Sequence, residues 1–135
     1  MADNVIYRLS KAFALRVVKE YDHLTKCKGE YVMSKQLYRS GTSVGANIAE
    51  SLYAQSDADY VSKLKISLKE ASETKYWLEL LYESEYMAKP EFDSLINDIN
   101  TIVGTLVNIV NKVQNKWRGL VYFVFYLFTF LPFYF

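Results

Sequence analysis

Apolar residues recur along this chain at three- and four-residue intervals, the spacing that places them on one side of an α-helix. Ile6, Leu9, Phe13, Val17, Tyr21 and Leu24 form such a face in a first helix predicted from about Asp3 to about Thr25, with Arg8, Lys19 and Lys26 opposite. Lys28-Gly29-Glu30 reads as the turn that follows. A second helix is predicted from about Tyr31 to Ala54. Ser56, with Asp59 three residues on, is an acidic form of the capping box and starts a third helix that runs to about Tyr86. Its main apolar face is Val61, Leu64, Leu68, Ala71, Leu78 and Tyr82. Lys89-Pro90 opens a fourth helix, with proline at the first helical position and Glu91 in the first turn. Phe92, Leu95, Ile96, Ile99, Ile102, Val103, Leu106, Ile109, Val110 and Val113 make a continuous stripe on it, backed by Asn97, Thr101, Asn108, Asn111 and Asn115. Few stretches alternate with period two, and Pro90 is the only proline in the first 116 residues. Four long amphipathic helices with short links predict an all-α fold, an antiparallel up-down-up-down four-helix bundle over residues 1–116. Residues 117–135 stand apart as a hydrophobic, aromatic tail.

Two helices carry more than one core face needs. On the second, Met33, Leu37, Ser40, Gly41, Val44, Ile48 and Leu52 share one side, and Gln36, Ser43, Asn47 and Glu50 line its edge. That stripe is too polar for pure core and too regular for random solvated surface, so Ser43, Asn47 and Glu50 are expected to bond across helices or subunits. Gly41 and Gly45 each cost roughly 1 kcal/mol relative to alanine in a helix interior, which points to a neighbouring helix in close approach. On the third helix a second apolar strip holds Ile66, Trp77 and Leu80. One bundle core cannot bury both strips, so this face is expected to meet another subunit; the alternative is that Trp77 covers a groove between neighbouring helices.

Charge narrows the choice of partner. The chain has a net charge of +1, too small for a strong global field. Its distribution is uneven: residues 1–50 carry 8 Lys/Arg against 5 Asp/Glu, residues 51–100 carry 5 against 10, and residues 101–135 carry 3 against none. Opposite-sign segments fit self-association as well as an external partner. A phosphate-binding surface, if present, would use the aligned Arg8, Lys19 and Lys26, with Tyr7 and Tyr31 as stacking platforms should they be exposed. Cys27 is the only cysteine, so no intrachain disulfide forms and the reducing cytoplasm is the expected compartment.

Catalytic chemistry has little to stand on. His23 is the only histidine, and near the end of a helix it serves the helix dipole more naturally than a proton transfer. Cys27 lies between Lys26 and Lys28 but lacks a relay partner and reads as an exposed, inert thiol. There is no phosphate loop, dinucleotide fingerprint, zinc spacing or Glu-x-x-His pair. Glu70 and Glu73, one turn apart, read as solvated or salt-bridged rather than as metal ligands. The expectation is a protein that is not an enzyme and holds neither cofactor nor metal.

Arg39–Ser51, RSGTSVGANIAES, and Ser67–Leu81, SLKEASETKYWLELL, resemble the bacterial four helix bundle protein family, also called the ribosomal RNA intervening-sequence protein family. Ser43, Val44, Asn47, Ile48, Ala49 and Glu50 occupy the pattern of the first motif, Glu70 and Trp77 that of the second, and the resemblance covers roughly residues 4–116. It implies roles in helix packing or assembly for Arg39, Ser43, Asn47, Glu50 and Glu70. Members are encoded within intervening sequences of large-subunit ribosomal RNA genes or stand free in bacterial genomes. A relative, the accessory variability determinant of diversity-generating retroelements, works beside a reverse transcriptase, and relatives form homopentameric rings. The resemblance therefore implies a homopentamer with RNA, DNA or a nucleic-acid enzyme such as a reverse transcriptase as partner, and no established enzymatic activity. The near-neutral charge departs from the strongly basic retroelement members.

The tail lies outside that resemblance. Residues 120–135 contain no charge. As a helix they would span about 24 Å at 1.5 Å per residue, short of a hydrocarbon core of about 30 Å, and Pro132 further disfavours a spanning helix. Trp117 and Arg118 could mark a membrane interface. Three readings stay open: an accidental extension translated from a thymine-rich stretch, a membrane or peripheral anchor, and a packed segment. The sequence thus predicts an oligomeric bundle presenting a repeated surface to nucleic acid or to a nucleic-acid-processing protein. Its alternative is a membrane-associated scaffold held by the tail.

Overall fold

The computed structural model describes residues 4–130 and consists of four helices: α1 (Val5–Lys26), α2 (Met33–Ser51), α3 (Asp57–Glu83) and α4 (Lys89–Phe130). The predicted start at Asp3 and the tail residues 131–135, with Pro132, lie outside the described residues. Each helix packs on two neighbours, α1 on α2 and α4, α3 on α2 and α4, so that α1 and α3 stand diagonally across the bundle. Pairings run in opposite directions: Gly41 meets Val17 while Gly45 meets Ser10, and Arg16 reaches Asp98 and Glu91. This is the antiparallel bundle expected from the apolar periodicity.

The core is a column of fully buried side chains: Phe13, Val17 and Leu24 from α1, Leu37, Val44 and Ile48 from α2, Leu64, Leu78 and Leu81 from α3, and Leu95, Ile99, Ile102 and Leu106 from α4. The expected faces shift slightly. Leu9 and Tyr21 are only half-buried, and on α3 the buried row runs Leu64, Ser67, Ala71, Thr74, Leu78 and Leu81, with two hydroxyl residues in it, while the expected Val61, Leu68 and Tyr82 are half-buried at its edges. These hydroxyls are accommodated by partners on α2: Ser67 donates to the Val44 carbonyl and Thr74 meets the Ser40 hydroxyl.

Helix ends follow local chemistry. Asn4 accepts from the Tyr7 N–H at 3.1 Å and caps α1. Around Gly29, left-handed at φ 66°, the Glu30 N–H returns to the Leu24 carbonyl at 2.9 Å and closes the α1 terminus. α2 begins two residues later than predicted, with Val32 at the N-cap position and the Glu30 side chain folded over the free N–H groups of its first turn. The Glu30 carboxylate accepts from the Val32, Met33 and Ser34 N–H groups at 3.0, 2.9 and 2.6 Å, and its carbonyl accepts the Ser34 hydroxyl at 2.8 Å. α3 starts at the predicted Ser56 cap, whose hydroxyl oxygen accepts from the Asp59 N–H at 3.1 Å. It stops before Tyr86 because Glu85 turns left-handed, at φ 68°. α4 passes through residue 116 without a break and continues to Phe130.

Burial pushes the Glu30 carboxyl upward, but the backbone N–H groups of Ser34, Met33 and Val32 outweigh it and hold the pKa below the ordinary glutamate value. A carboxylate depressed in the folded state stabilises fully above its unfolded pKa, and that contribution disappears as pH falls through the folded value. Glu30→Gln is expected to lower stability by about 1–2 kcal/mol at neutral pH. In chemical denaturation as a function of pH, its difference from the unaltered chain narrows below about pH 4. A difference that stays constant down to acid pH would contradict the charged cap.

Candidate assembly and nucleic-acid interface

The two motifs meet along the outer seam between α2 and α3. Arg39 projects from α2 with Nη1 3.3 Å from the Glu70 carboxylate and Nη2 on Glu73, and the Trp77 indole N–H donates to Glu73 at 3.4 Å. Hydrogen bonding from Arg39 holds the Glu73 carboxyl below the usual carboxylate range, against a smaller opposing effect of burial. Glu70 and Glu73 thus form ion pairs, the salt-bridged form of the two alternatives read for them. Further along the seam, Glu50 accepts from the Lys63 ammonium at 2.8 Å. Of the polar stripe on α2, only Glu50 therefore crosses to another helix. Ser43 donates to the Arg39 carbonyl at 2.6 Å and Asn47 to the Ser43 carbonyl at 2.8 Å, both within α2.

The bonds that join α2 to α3 internally link Ser40 and Val44, on the face the periodicity marked in α2, to Ser67 and Thr74, which it did not single out in α3. The Ser67 hydroxyl donates to the Val44 carbonyl at 2.8 Å, and the Thr74 and Ser40 hydroxyls lie 3.1 Å apart, all of them buried. The available signal was their spacing: Ser67 and Thr74 stand three or four residues from Leu64, Ala71 and Leu78, in the buried row. Gly41 and Gly45 do mark a close approach, as predicted. A Cβ on Gly41 would lie 2.9 Å from Val17 Cγ2, whereas one on Gly45 would just touch the Ser10 backbone at 3.4 Å.

On the outside of α3, Ile66 is 38 % exposed, while Trp77 and Leu80 are half-buried. Trp77 rests against the core and meets the Tyr76 ring edge-on at 5.1 Å. Across the bundle, Arg8, Lys19 and Lys26 are all exposed on α1. Lys26 shares its charge with Asp22 at 3.1 Å, and the Lys11 ammonium lies 5.7 Å from the centre of the Tyr7 ring. Tyr31 is exposed; Tyr7 is half-buried against the core.

A second ionic site, missed from sequence, fastens α1 to α4. Arg16 spans Asp98 at 2.7 Å and Glu91 at 3.0 Å. Nearby, burial and then the Glu91 charge push the Glu20 carboxyl above its ordinary value, opposed by His23 and Arg16. Nothing in the α1 periodicity distinguishes Arg16 from a solvated arginine. His23 and Cys27 are exposed at the end of α1. Among the described residues, no three His, Cys, Asp or Glu side chains gather as a metal site would require.

The structure is therefore a small helical-bundle protein with a packed interior, whose charged chemistry lies on its outer seams. The chain belongs to the family described as 23S rRNA-intervening sequence protein, whose model matches residues 2–108. Among solved structures it is similar to a protein of unknown function from the S23 ribosomal protein family of Bacteroides thetaiotaomicron. The two share 49 % identity over 78 % of this chain and 98 % of that one, with a TM-score of 0.78. None of the curated proteins matches the chain.

Burial orders the energetics of the α2–α3 seam. Ser67→Ala is expected to cost about 1 kcal/mol, through removal of a buried hydrogen bond. Arg39→Ala is expected to cost less than that, because its ion pairs are open to solvent. Urea unfolding of the two variants measures the order, and a larger effect of Arg39→Ala would contradict it.

Proposed function

We propose that this chain is a non-enzymatic assembly protein of the bacterial cytoplasm. Its protomers join through the outer side of α3 and the Arg39–Glu70–Glu73 seam, as a homopentamer. The assembly presents a repeated surface to nucleic acid or to a nucleic-acid-processing protein such as a reverse transcriptase. The observation that carries this reading is the diagonal placement of the two outer faces. The seam that unites the family motifs lies beside α3, and α3 is the helix that α1 does not touch. Joining protomers through α3 leaves Arg8 and Lys19 facing outward in every copy. A row of cations too weak to hold a phosphate backbone alone gains by repetition within one particle. Membership of a family named for intervening sequences in 23S rRNA supports nucleic acid as the partner class.

Light scattering of the purified chain is expected to give a homo-oligomer, and Trp77→Ala to release smaller species, since truncating an aromatic anchor commonly costs about 2 kcal/mol or more. Binding to RNA or DNA is expected to be weak and indifferent to sequence. Arg8→Glu with Lys19→Glu should then reduce the slope of log affinity against log salt by about 0.9 for each duplex phosphate no longer neutralised. A chain that stays monomeric at high concentration contradicts the assembly, and an unchanged slope contradicts the α1 face.

A further inference from the structure

α4 continues well past the family match, which ends at residue 108, and its last three turns are almost wholly exposed, with Leu120 and Phe123 lining a groove beside Asp57 at the start of α3. Tyr122, Phe125 and Phe128 are 74 %, 66 % and 79 % exposed, and Leu120, Val121, Phe123, Val124, Tyr126 and Phe130 are exposed as well. These residues do not share a stripe. At about 100° per residue, Leu120, Val121, Tyr122 and Phe123 point in four different directions, so the apolar surface runs round the whole circumference. A second copy docked along one side would cover one stripe and leave the rest in water. A helix apolar all round is matched by a medium that surrounds it.

Length and flanking chemistry specify that medium. Residues 120–130 carry no charge and extend about 16 Å at 1.5 Å per residue, half of a hydrocarbon core of about 30 Å. Accordingly, no described helix is long and apolar enough to cross a membrane. Immediately before this stretch come Lys112, Lys116, Trp117 and Arg118, cations suited to lipid phosphates and an indole suited to the headgroup level. The end of the bundle at which the stretch begins mixes exposed apolar side chains with the acidic first turn of α3, Asp57 and Asp59. Trp117 and Arg118 share a groove with Ser56, Asp57 and Val61 at the start of α3, and Asp57 also borders the adjoining groove of Lys116, Leu120 and Phe123. The α2–α3 link at this end carries Tyr53, 76 % exposed. α1 also begins there, because Ser10 packs against Gly45, and its first residue, Val5, is exposed.

We propose that residues 120–130 insert into one leaflet of a lipid bilayer and seat the Tyr53 end of the bundle on the headgroups. This is independent of the nucleic-acid reading: Arg8 lies near the seated end, and Lys19 and Lys26 lie toward the far end of α1. The test is flotation of the full chain with vesicles of phosphatidylcholine containing a minority of phosphatidylglycerol. A parallel measurement attaches an environment-sensitive fluorophore at Phe128→Cys in a Cys27→Ser background. The chain is expected to float, and the fluorophore to shift to the blue and be quenched by lipids bearing a nitroxide on the acyl chain. Phe125→Glu is expected to reduce partition about tenfold or more while leaving the melting temperature unchanged, since Phe125 is far from the core. A chain that remains at the bottom of the gradient overturns the proposal. So does equal flotation of Phe125→Glu, or a blue shift without vesicles accompanied by a tail-dependent rise in mass, which would assign the surface to a second copy.

Discussion

The close crossing of α1 and α2 at Gly41 sets the geometry of this bundle. Val17, fully buried and stiff at its branched Cβ, occupies the space a side chain at Gly41 would need. Small residues therefore recur on the buried sides of the helices around α2: Ser10 on α1, Ser34, Ser40 and Ser51 on α2 itself, and Ser67, Ala71 and Thr74 on α3. With α2 drawn inward, the Ser67 hydroxyl reaches the Val44 carbonyl, and Arg39 stands near enough to α3 to engage both Glu70 and Glu73. The packing constraint thus precedes the motif chemistry. Arg39 and Glu70 meet across the α2–α3 seam, which the buried Ser67–Val44 and Thr74–Ser40 contacts hold from within.

The interior hydroxyls are satisfied where they stand. Ser10, Ser34, Ser40, Ser51 and Thr74 each donate to a carbonyl within four residues of themselves, and among the described residues no buried side-chain polar atom lacks a partner. A buried polar group left unpaired costs about 1–3 kcal/mol, so this satisfaction is a condition of placing six hydroxyl residues in the interior. Wherever a charge is well held it lies at a seam: Glu30 at the start of α2, Arg16 between α1 and α4, Arg39 between α2 and α3. The charged groups available for recognition therefore lie on the outer faces, and the assembly proposed above rests on those faces.

The bundle was legible because its helices are long and their apolar rows regular. Ser56 with Asp59 and Lys89-Pro90 announced two helix starts, and Gly41 announced the tight crossing. The resemblance carried by RSGTSVGANIAES led to the family that the comparison establishes. Other features were hidden for physical reasons. Glu30 has the look of a turn residue because carboxylate caps share composition with loops, and only three converging N–H groups reveal its role. Ser67 and Thr74 count as polar in any hydropathy pattern, although a hydroxyl bonded to a helix carbonyl behaves as a small core residue. Arg16 needed partners 75 and 82 residues away, a separation that helical periodicity does not encode. Ser43 and Asn47 illustrate the converse, since alignment on an edge does not determine whether a side chain reaches outward or back to its own helix.

The central claim is that contact between Val17 and the bare backbone of Gly41 sets the α1–α2 distance, and a pair of glycine substitutions addresses it most directly. Gly104 lies in α4 with nothing within 4 Å of an added Cβ, so Gly104→Ala should gain up to about 1 kcal/mol of helix propensity. At Gly41 the same gain is opposed by overpacking worth about 1–3 kcal/mol. Urea unfolding should therefore show Gly41→Ala less stable than the unaltered chain and Gly104→Ala more stable, with Val17→Ala relieving part of the destabilisation when combined with Gly41→Ala. Equal stabilisation by the two alanines, with no coupling between positions 17 and 41, would contradict the account.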